Sequence, residues 1–477
     1  MGNGELNLEE KYQLFKKFSK KYKEEGDYYH NFFLADLLPL YSDHHMITPK
    51  EVMEHWNSLT EDDDFLSLYI HTPFCIKKCD YCIYSSDKLE NREQLDQVLE
   101  DLIKEIEYYG KRIDKKFNTL YFGGGTPSIF SAENIEKILE KVHEYFSFKE
   151  GGLKNFEINP VTCNTDKLDA LVNNGINRVS FGVQSMQPEV LENVNRSYQK
   201  PEIVKKIVKE AVERDFRAVN VDLIIGLEGS STEKFVDTFK QVIKLKPDTI
   251  STYPLQPKKE ELQKRGINDQ EFFEMIEKML EKVRGQTKEI AEEHGYLPPK
   301  NTPNPGDANS WAFFKNDYVD NMFKYSYFGK NKKIDAILGM GIYQHSFVKE
   351  SVKYRREGFS DFKEDRKIYH SITYDKKNSM REYILDKFAE QKFIKLDSFS
   401  EKFGEEAEKE FKKSFEDMAS LDLIERQDGK IILKTETPFE SFVACHFLFD
   451  KESIKHQIKE EALRLDWEDF KEEVEKL

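Results

Sequence analysis

The sequence predicts an α/β protein built around an open, partial barrel of six strand-helix units. Three observations carry this prediction. Short apolar runs of strand length alternate with longer amphipathic stretches from Phe65 to Tyr253, the alternation is strict, and each conspicuous motif directly follows an apolar run. Strict alternation of strands and helices favours a parallel sheet. Six units are too few to close an eight-stranded barrel, and active groups in such folds lie at the carboxyl ends of the strands.

The predicted elements follow one another in regular order. The strands are Leu66–His71, Thr119–Phe122, Phe156–Ile158, Arg178–Val183, Val219–Ile225 and Thr249–Tyr253. The helices have apolar residues at helical spacing and are Leu95–Tyr109, Ser131–Phe146, Thr165–Asn173, Pro201–Arg214 and Thr232–Lys244. Ser131 is the expected N-cap of the second helix, because a serine oxygen accepts a hydrogen bond from a free backbone N–H of the first turn.

At 477 residues the chain is longer than one typical domain of about 100–200 residues. We predict five segments: an N-terminal helical extension (1–64), the partial barrel (65–295), an aromatic insert and linker that completes the barrel (296–378), a C-terminal domain of helices with a small β element (379–448) and an acidic C-terminal helix (449–477). In the C-terminal domain, Gln427–Lys430 is the expected hairpin turn.

Three apolar stretches lie outside the predicted barrel. The first is a helical stripe of Leu14, Phe15, Phe18 and Tyr22, which we expect to pack against the barrel. The aromatic insert from Tyr296 to Lys333 is either a lid over a flat or apolar molecule or part of the core. The acidic tail has apolar residues at helical spacing, which predicts a docking helix or, alternatively, a partner-binding helix: Leu463, Trp467, Phe470, Val474 and Leu477.

The composition favours an intracellular protein without a nucleic-acid or membrane partner. A net charge of -16 would repel nucleic-acid phosphates. No apolar stretch approaches the roughly 20 residues that a membrane-spanning helix needs, and residues 1–10 are polar and acidic, unlike a secretory signal. With only 5 cysteines, we expect the reducing cytoplasm, where thiolates stay available.

Three cysteines, Cys75, Cys79 and Cys82, form a CxxxCxxC run after the first predicted strand. An iron-sulfur cube normally takes four cysteine ligands, so three thiolates leave one iron open to a ligand from outside the protein. The alternatives are a zinc site or ordinary core residues, but a closed zinc site needs a fourth ligand and usually has two CxxC or CxxH pairs. Cys163 and Cys445 are isolated, and we expect both to be ordinary buried residues.

Three successive glycines, Gly123, Gly124 and Gly125, follow the second predicted strand and precede Thr126 and Pro127. Glycines let a ligand approach the backbone without obstruction by side chains, and proline restricts the direction in which the chain leaves. A glycine run alone is more often just a turn. Its position one strand-helix unit after the cysteines favours a role in the same site.

The cysteine run resembles the signature of the radical S-adenosylmethionine (SAM) superfamily, and the glycine run resembles the element that holds the methionine amino group in that family. The resemblance implies a 4Fe-4S cluster on Cys75, Cys79 and Cys82, with its fourth iron chelated by the methionine moiety of SAM. One electron from the cluster then cleaves the sulfonium C–S bond, giving methionine and a 5′-deoxyadenosyl radical.

Further motifs resemble one branch, the oxygen-independent coproporphyrinogen dehydrogenase family. That branch also contains heme chaperones, anaerobic heme-degrading enzymes and class C radical methyltransferases. The matching motifs are Phe156-Glu157-Ile158-Asn159-Pro160, Arg178–Ser185, Asn195-Arg196 and Asn220–Leu227, and the resemblance runs from about Leu66 to Ser346. By the same resemblance, 379–448 is similar to the family's winged-helix-like domain, which helps cover the active site.

The resemblance also implies roles for individual residues. Tyr69, Gly123, Gly124 and Glu157 would hold the cluster-bound SAM, and Tyr81 would pack on its adenine. A second SAM would be held by Gly125, Thr126, Gln184, Arg196 and Asp222. The candidate catalytic residues are Tyr69, Glu157, Gln184 and Arg196. Single residues also have structural interpretations, such as Asp222 capping a strand end or Arg196 in a surface ion pair.

Departures from the branch leave two function classes open. Tyr84 stands where the porphyrinogen enzyme has an additional cysteine, and Asp307–Trp311 lacks the His-Asn pair that usually precedes the tryptophan of the chaperones. Gly339–Ser346 does resemble the chaperones' glycine-rich segment, so His345 is a candidate for contact with a substrate or heme.

We favour an enzyme that oxidises or methylates a small, carboxylated or tetrapyrrole-like substrate. It would use one or two SAM molecules and an electron donor of the flavodoxin or ferredoxin type. The alternative is a protein that delivers heme.

Overall fold

The computed structural model describes residues 6–25, 37, 42, 44–59, 65–297, 300–301, 311–315, 334–356, 358–359, 361–464 and 470. The chain divides into two compact units. The larger comprises Met46–Lys349 and Lys353–Ser371, and the smaller comprises Met1–His45, Glu350–Val352 and Ile372–Leu477. The five-segment division stays a prediction.

Among the described residues, six parallel strands form the centre of the larger unit. They are β1 (Leu66–Thr72), β2 (Lys116–Gly124), β3 (Ser147–Ile158), β4 (Arg178–Gln184), β5 (Ala218–Ile225) and β6 (Thr249–Pro254). Each strand pairs in parallel with the next in chain order. The predicted parallel core of a partial barrel is therefore confirmed.

The strand β3 is longer than the sequence predicted. It begins at Ser147 rather than at Phe156. Gly151 has a left-handed φ of 74°, and the pairing with β2 shifts register between Phe117 and Thr119. The irregularity interrupts the apolar pattern that marks a strand in sequence.

Helices connect the strands of the larger unit. They are Pro49–Trp56, Arg92–Gly110, Ala132–Tyr145, Thr165–Asn173, Pro188–Asn193, Pro201–Val212, Thr232–Ile243, Lys259–Arg265 and Asp269–Glu293. The Ser131 side chain accepts a hydrogen bond from the Asn134 N–H, as predicted for the N-cap. No helix in the described ranges is both long and apolar enough to cross a membrane.

The sheet extends beyond the predicted strands. Ala336–Met340 pairs in parallel with β1, and Trp311–Phe314 pairs antiparallel with β6. Further strands are His45–Ile47, Lys300–Asn301, Ser346–Val348, Val352–Arg356 and Tyr369–Thr373, and Phe74–Cys75 pairs separately with Asp87–Lys88. Trp311, Phe313 and Phe314 are buried, so this part of the aromatic insert is core. The parts at 302–310 and 316–333 lie outside the described residues.

The smaller unit packs around one hydrophobic cluster. Its helices are Leu8–Glu25, Lys376–Gln391, Leu396–Phe403, Ala407–Glu410, Lys412–Ser420, Pro438–Cys445 and Lys451–Arg464, and its strands are Phe393–Lys395, Ile424–Gln427 and Lys430–Leu433. The predicted hairpin turn is present: Asp428 and Gly429 have φ of 49° and 69°, which suits a two-residue turn.

The N-terminal helix belongs to the smaller unit, where Leu14, Phe15 and Phe18 of its apolar stripe join the same cluster as the C-terminal helices. The ring of Phe15 lies 5.1 Å from that of Phe447 in an edge-on contact. The prediction that this stripe packs against the barrel was wrong, because an amphipathic pattern specifies an apolar face and not the element that covers it. Phe470 of the acidic tail is buried in this cluster, whereas Trp467, Val474 and Leu477 lie outside the described residues.

Candidate active site

The cysteine run forms a loop at the carboxyl end of β1. Cys75 lies in a short strand with Phe74, Cys79 is buried, and Cys82 donates its backbone N–H to Cys79 O over 3.1 Å. All three are free thiols. Burial raises the pKa of Cys82, and the charges of Cys75 and Cys79 raise it further.

Side-chain donors from other parts of the barrel reach two of these sulfurs. Thr126 Oγ1 donates to Cys75 Sγ over 3.3 Å. Arg196 Nη1 donates to Cys79 Sγ over 3.5 Å, and the Tyr198 hydroxyl lies 3.9 Å from the same sulfur. Hydrogen bonds of this kind stabilise the thiolate form, which is the form that binds metal.

The glycine run lies directly against β1 and the cysteine loop. Gly124 has φ of 104°, and a Cβ atom there would lie 2.6 Å from His71 Nε2 and 2.7 Å from Thr72 O. A Cβ atom at Gly125 would lie 2.6 Å from Phe74 O. These glycines are therefore required by close packing of the protein itself, apart from any contact with a ligand.

We expect Gly124→Ala to lower the free energy of unfolding by about 2–4 kcal/mol, since it adds strain at a positive φ to overpacking against His71. Gly151→Ala is the matched control. Gly151 also has a positive φ, of 74°, but an added Cβ atom would meet nothing within 4 Å. Gly151→Ala should therefore lower the free energy of unfolding by only about 1 kcal/mol. Urea unfolding measures both variants. Equal losses in the two variants would show that packing against His71 is not the cause.

Tyr69 and His71 project from β1 toward the same side, because alternate residues of a strand share a face. His71 Nε2 lies 3.0 Å from Ser85 O, an acceptor, so Nε2 carries the proton and the Tyr69 hydroxyl donates to Nδ1 over 2.9 Å. Burial lowers the pKa of His71 to about 4. The imidazole is therefore neutral at neutral pH, and it holds Tyr69 in one orientation.

Two carboxylates lie near enough to interact: Glu157, next to the last residue of β3, and Asp222, within β5. Burial, followed by the negative charge of Asp222, raises the pKa of Glu157 to about 7. Burial raises the pKa of Asp222 to about 6, against the opposing effect of Arg178. The Tyr121 hydroxyl donates to Glu157, and Asn220 Nδ2 donates to Asp222 over 2.8 Å. Such a pair attracts a cationic ligand, which would relieve the repulsion between the carboxylates.

The cysteine loop and the glycine run both lie in a stretch of chain that matches a known family. Residues 69–242 match the radical SAM superfamily. The chain contains a radical SAM domain. This agrees with the cysteine loop at the end of β1 and the glycine run at the end of β2.

The radical SAM domain has curated relatives of two kinds. It is 33% identical over 195 residues to the heme chaperone HemW of Haemophilus influenzae, a match covering 40% of this chain and 51% of the relative. It is 36% identical over 191 residues to the oxygen-independent coproporphyrinogen III oxidase of Salmonella typhimurium, covering 39% of this chain and 41% of the relative. The chain thus spans about half or less of the length of these relatives.

The fold also resembles a solved structure, coproporphyrinogen III oxidase from Escherichia coli. The TM-score is 0.63 at 21% sequence identity, and the match covers 83% of this chain and 92% of the other. At this identity the likeness concerns the fold alone. It agrees with the predicted α/β fold and the partial barrel.

The residues of the radical SAM domain suit the cluster that the family implies. Three free thiols on one loop, two of them with hydrogen-bond donors, are the donor set that an iron-sulfur cube takes. No three His, Cys, Asp or Glu side chains within the described ranges are grouped to bind a single metal ion. In a cube each cysteine binds a different iron, so the sulfurs surround the cluster rather than converge on one ion.

The residues predicted to hold a second SAM differ in whether their polar atoms are already used within the protein. Gln184 has a strained φ of 67°, and its buried Oε1 accepts no hydrogen bond from the residues that the structure describes. Thr126 and Arg196, in contrast, already donate to cysteine sulfurs, and the Tyr81 hydroxyl accepts from Arg196 Nη1 over 3.1 Å. The assigned roles of all these residues stay predictions.

His345 lies exposed on the segment that follows the strand Ala336–Met340, close enough to His71 to lower its pKa. On the same segment, the Tyr343 hydroxyl donates to Asp87 Oδ2 over 2.7 Å. This ties the segment to the short strand that pairs with Phe74–Cys75. His345 thus lies near His71, and its predicted contact with a substrate or heme stays a prediction.

Sequence reasoning missed His71, Tyr121, Tyr198 and Gln199 as parts of this site. The positions of His71 and Tyr121 could have been found from strand periodicity. In the sheet register, Tyr69 pairs with Tyr121 and His71 pairs with Gly123, so these residues share a face with residues already identified. Tyr198 and Gln199 follow β4 in an irregular segment, where no periodic pattern marks which side chains point to the site.

Proposed function

We propose that this chain is an enzyme that binds a 4Fe-4S cluster through Cys75, Cys79 and Cys82 and cleaves SAM reductively. When bound, the cluster supplies one electron to the sulfonium of SAM, which yields methionine and a 5′-deoxyadenosyl radical. The observation that carries the proposal is the loop of three free thiols at the carboxyl end of β1, two of whose sulfurs accept hydrogen bonds from Thr126 and Arg196.

The protein's own groups would bind and orient SAM. Glu157 offers a carboxylate for the ribose hydroxyls or the ammonium group of SAM, and Tyr121 limits its movement by donating a hydrogen bond to it. Tyr69 is fixed by His71, and the backbone at Gly123 and Gly124 has no side chain that would block the methionine moiety. Such positioning accounts for much of catalysis when a cofactor carries the difficult chemistry.

We infer that the substrate is small and carboxylated or tetrapyrrole-like, and that it is oxidised or methylated with the help of a second SAM. Gln184 Oε1 supports the second SAM, because a buried acceptor that has no partner among the described residues favours a ligand that donates to it. Asp222 supports it as well, since a buried carboxylate with a raised pKa gains from a cationic neighbour. The electron donor would be of the flavodoxin or ferredoxin type.

Heme delivery is the second candidate function. It is supported by the heme chaperones among the relatives and by the exposed side chain of His345 beside the site, since imidazole is a common axial ligand of heme iron. The two candidate functions require different ligand-binding residues in this protein. A second SAM requires polar partners such as Gln184 and Asp222, whereas heme requires an axial ligand.

One experiment separates these functions. The protein is reconstituted with iron and sulfide without oxygen, and SAM products are identified by mass spectrometry with dithionite or flavodoxin as reductant. We expect 5′-deoxyadenosine, more than one SAM bound per cluster in equilibrium dialysis, and weaker binding of the second SAM in Asp222→Asn. S-adenosylhomocysteine beside 5′-deoxyadenosine would indicate methyl transfer, and its absence simple oxidation.

Two results would overturn the enzymatic proposal. One is the absence of 5′-deoxyadenosine from cluster-loaded protein with both reductants. The other is a single saturable SAM site together with stable heme binding that is lost in His345→Ala, which would favour heme delivery.

A further inference from the structure

Arg196 is a buried arginine whose side chain is fully engaged within the protein. It is 6% exposed. Its Nε and Nη2 donate to Gln199 Oε1 over 3.1 Å each, and Nη2 also donates to Gly182 O. Its Nη1 donates to Tyr81 OH over 3.1 Å and to Cys79 Sγ over 3.5 Å. A guanidinium has five N–H groups, so these five hydrogen bonds use all of them.

The partners of Arg196 are themselves held in place. Gln199 is 1% exposed, and its Nε2 donates to Val183 O over 2.7 Å. This fixes the amide so that Oε1 faces the guanidinium. On the other side, Asn195 Nδ2 donates to Lys78 O over 2.8 Å within the cysteine loop. Arg196 is therefore attached both to the end of β4 and to the cysteine loop.

A rigid cation next to one thiolate has an electrostatic consequence. Hydrogen bonds to the sulfurs and the local charge are among the main factors that set the reduction potential of an iron-sulfur cluster. Thr126 gives Cys75 a neutral donor, whereas Arg196 gives Cys79 a charged one in a buried setting with little screening by water. Arginine also keeps its charge at any ordinary pH, so the effect does not depend on protonation.

We propose that Arg196 raises the reduction potential of the cluster at Cys75, Cys79 and Cys82. The inference rests on the proposed function, because it requires the cluster. Reduction adds one electron from the external donor, no bond forms or breaks, and Arg196 stays protonated. The guanidinium stabilises the extra negative charge, which makes the cluster easier to reduce. Binding of a SAM carboxylate by Arg196 would instead require the loss of at least one of its five hydrogen bonds.

The test is a redox titration of the reconstituted protein without SAM, followed by electron paramagnetic resonance of the reduced cluster. Arg196→Met should lower the equilibrium constant for reduction by at least about tenfold, which is about 59 mV for a one-electron couple. Arg196→Lys keeps the charge and should lower this equilibrium constant less than Arg196→Met does. Lys88→Met is the matched control, since it removes a cation from the strand paired with Cys75 but from an exposed position, and it should leave the potential unchanged.

Iron and sulfide content are measured for each variant, so that loss of the cluster is not mistaken for a changed potential. If Arg196→Met does not retain the cluster, Arg196→Gln decides, because it removes the charge but keeps N–H donors at this position, and it should also lower the potential. An unchanged potential in cluster-loaded Arg196→Met, or in Arg196→Gln when that variant decides, would overturn the inference and leave the proposed function standing. A wild-type protein that binds no cluster would overturn both.

Discussion

Replacement of Cys75, Cys79 or Cys82 by alanine is expected to abolish the visible absorption of the reconstituted cluster and the formation of 5′-deoxyadenosine. In the proposed cluster each thiolate would bind a different iron, so loss of one would leave only two protein ligands and a second open iron. The measurements are the absorption spectrum, iron content and 5′-deoxyadenosine yield of protein reconstituted without oxygen. All three should fall to the level of protein that was never given iron.

Cys163→Ala and Cys445→Ala are the matched controls for this prediction. Burial raises the pKa of Cys163 to about 12, which disfavours its thiolate, and Cys445 is fully buried in the apolar cluster of the smaller unit. Both variants should retain the cluster. If Cys163→Ala lost the cluster while Cys82→Ala kept it, the assignment of ligands would be wrong.

Glu157→Gln is expected to weaken SAM binding by about 10- to 100-fold, since hydrogen bonds to a charged group contribute about 1.5–3 kcal/mol. The wild-type affinity should rise with pH, because the pKa of Glu157 is about 7 and the carboxylate form is the better acceptor. In Glu157→Gln that rise should be smaller. Equilibrium dialysis with labelled SAM between pH 6 and pH 8 measures both effects, and Glu136→Gln, at an exposed helix position, is the control.

The same carboxyl group has an effect of opposite sign on stability. Its pKa rises from an ordinary value of 4.5 to about 7 on folding, so the folded protein binds the proton more tightly. The resulting stabilisation is present at low pH and is lost as the pH rises through about 7. Glu157→Gln should therefore be more stable than wild type at pH 8 but not near pH 4. For the binding prediction, an equally high SAM affinity of wild type and Glu157→Gln between pH 6 and pH 8 would rule out a binding role for Glu157.

Much of the barrel could be predicted from the sequence because its signals are local. Short apolar runs and helical patterns placed all six parallel strands and five helices between them, and the Ser131 N-cap was visible from residue type alone. The short helix Pro188–Asn193 was not predicted. The error at β3 has a local cause too, since Gly151 breaks the strand pattern that continues back to Ser147. Ala336–Met340 is also a short apolar run, but its pairing with β1 joins segments far apart in sequence, so no local pattern indicated it.

The residues of the candidate site likewise fall into those that could be predicted from the sequence and those that could not. The three cysteines and the glycine run are contiguous motifs, so residue type and spacing alone were enough to infer their chemistry. The partners of those motifs could not be inferred in this way. Arg196 is 117 residues from Cys79 in sequence and yet donates to its sulfur, and the predicted second-SAM role of Arg196 did not anticipate that all its N–H groups are used within the protein.

The sequence by itself determined the α/β class, the order of the strands and the position of the cysteine loop. Only the tertiary structure decided that Gly124 packs on His71, that the charge of Asp222 raises the pKa of Glu157, and that the N-terminal helix joins the C-terminal unit. The physical reason is that spacing along a chain specifies local geometry and the face that is apolar. Which distant groups meet depends on how whole elements pack, and burial at those contacts then sets the charge of each group.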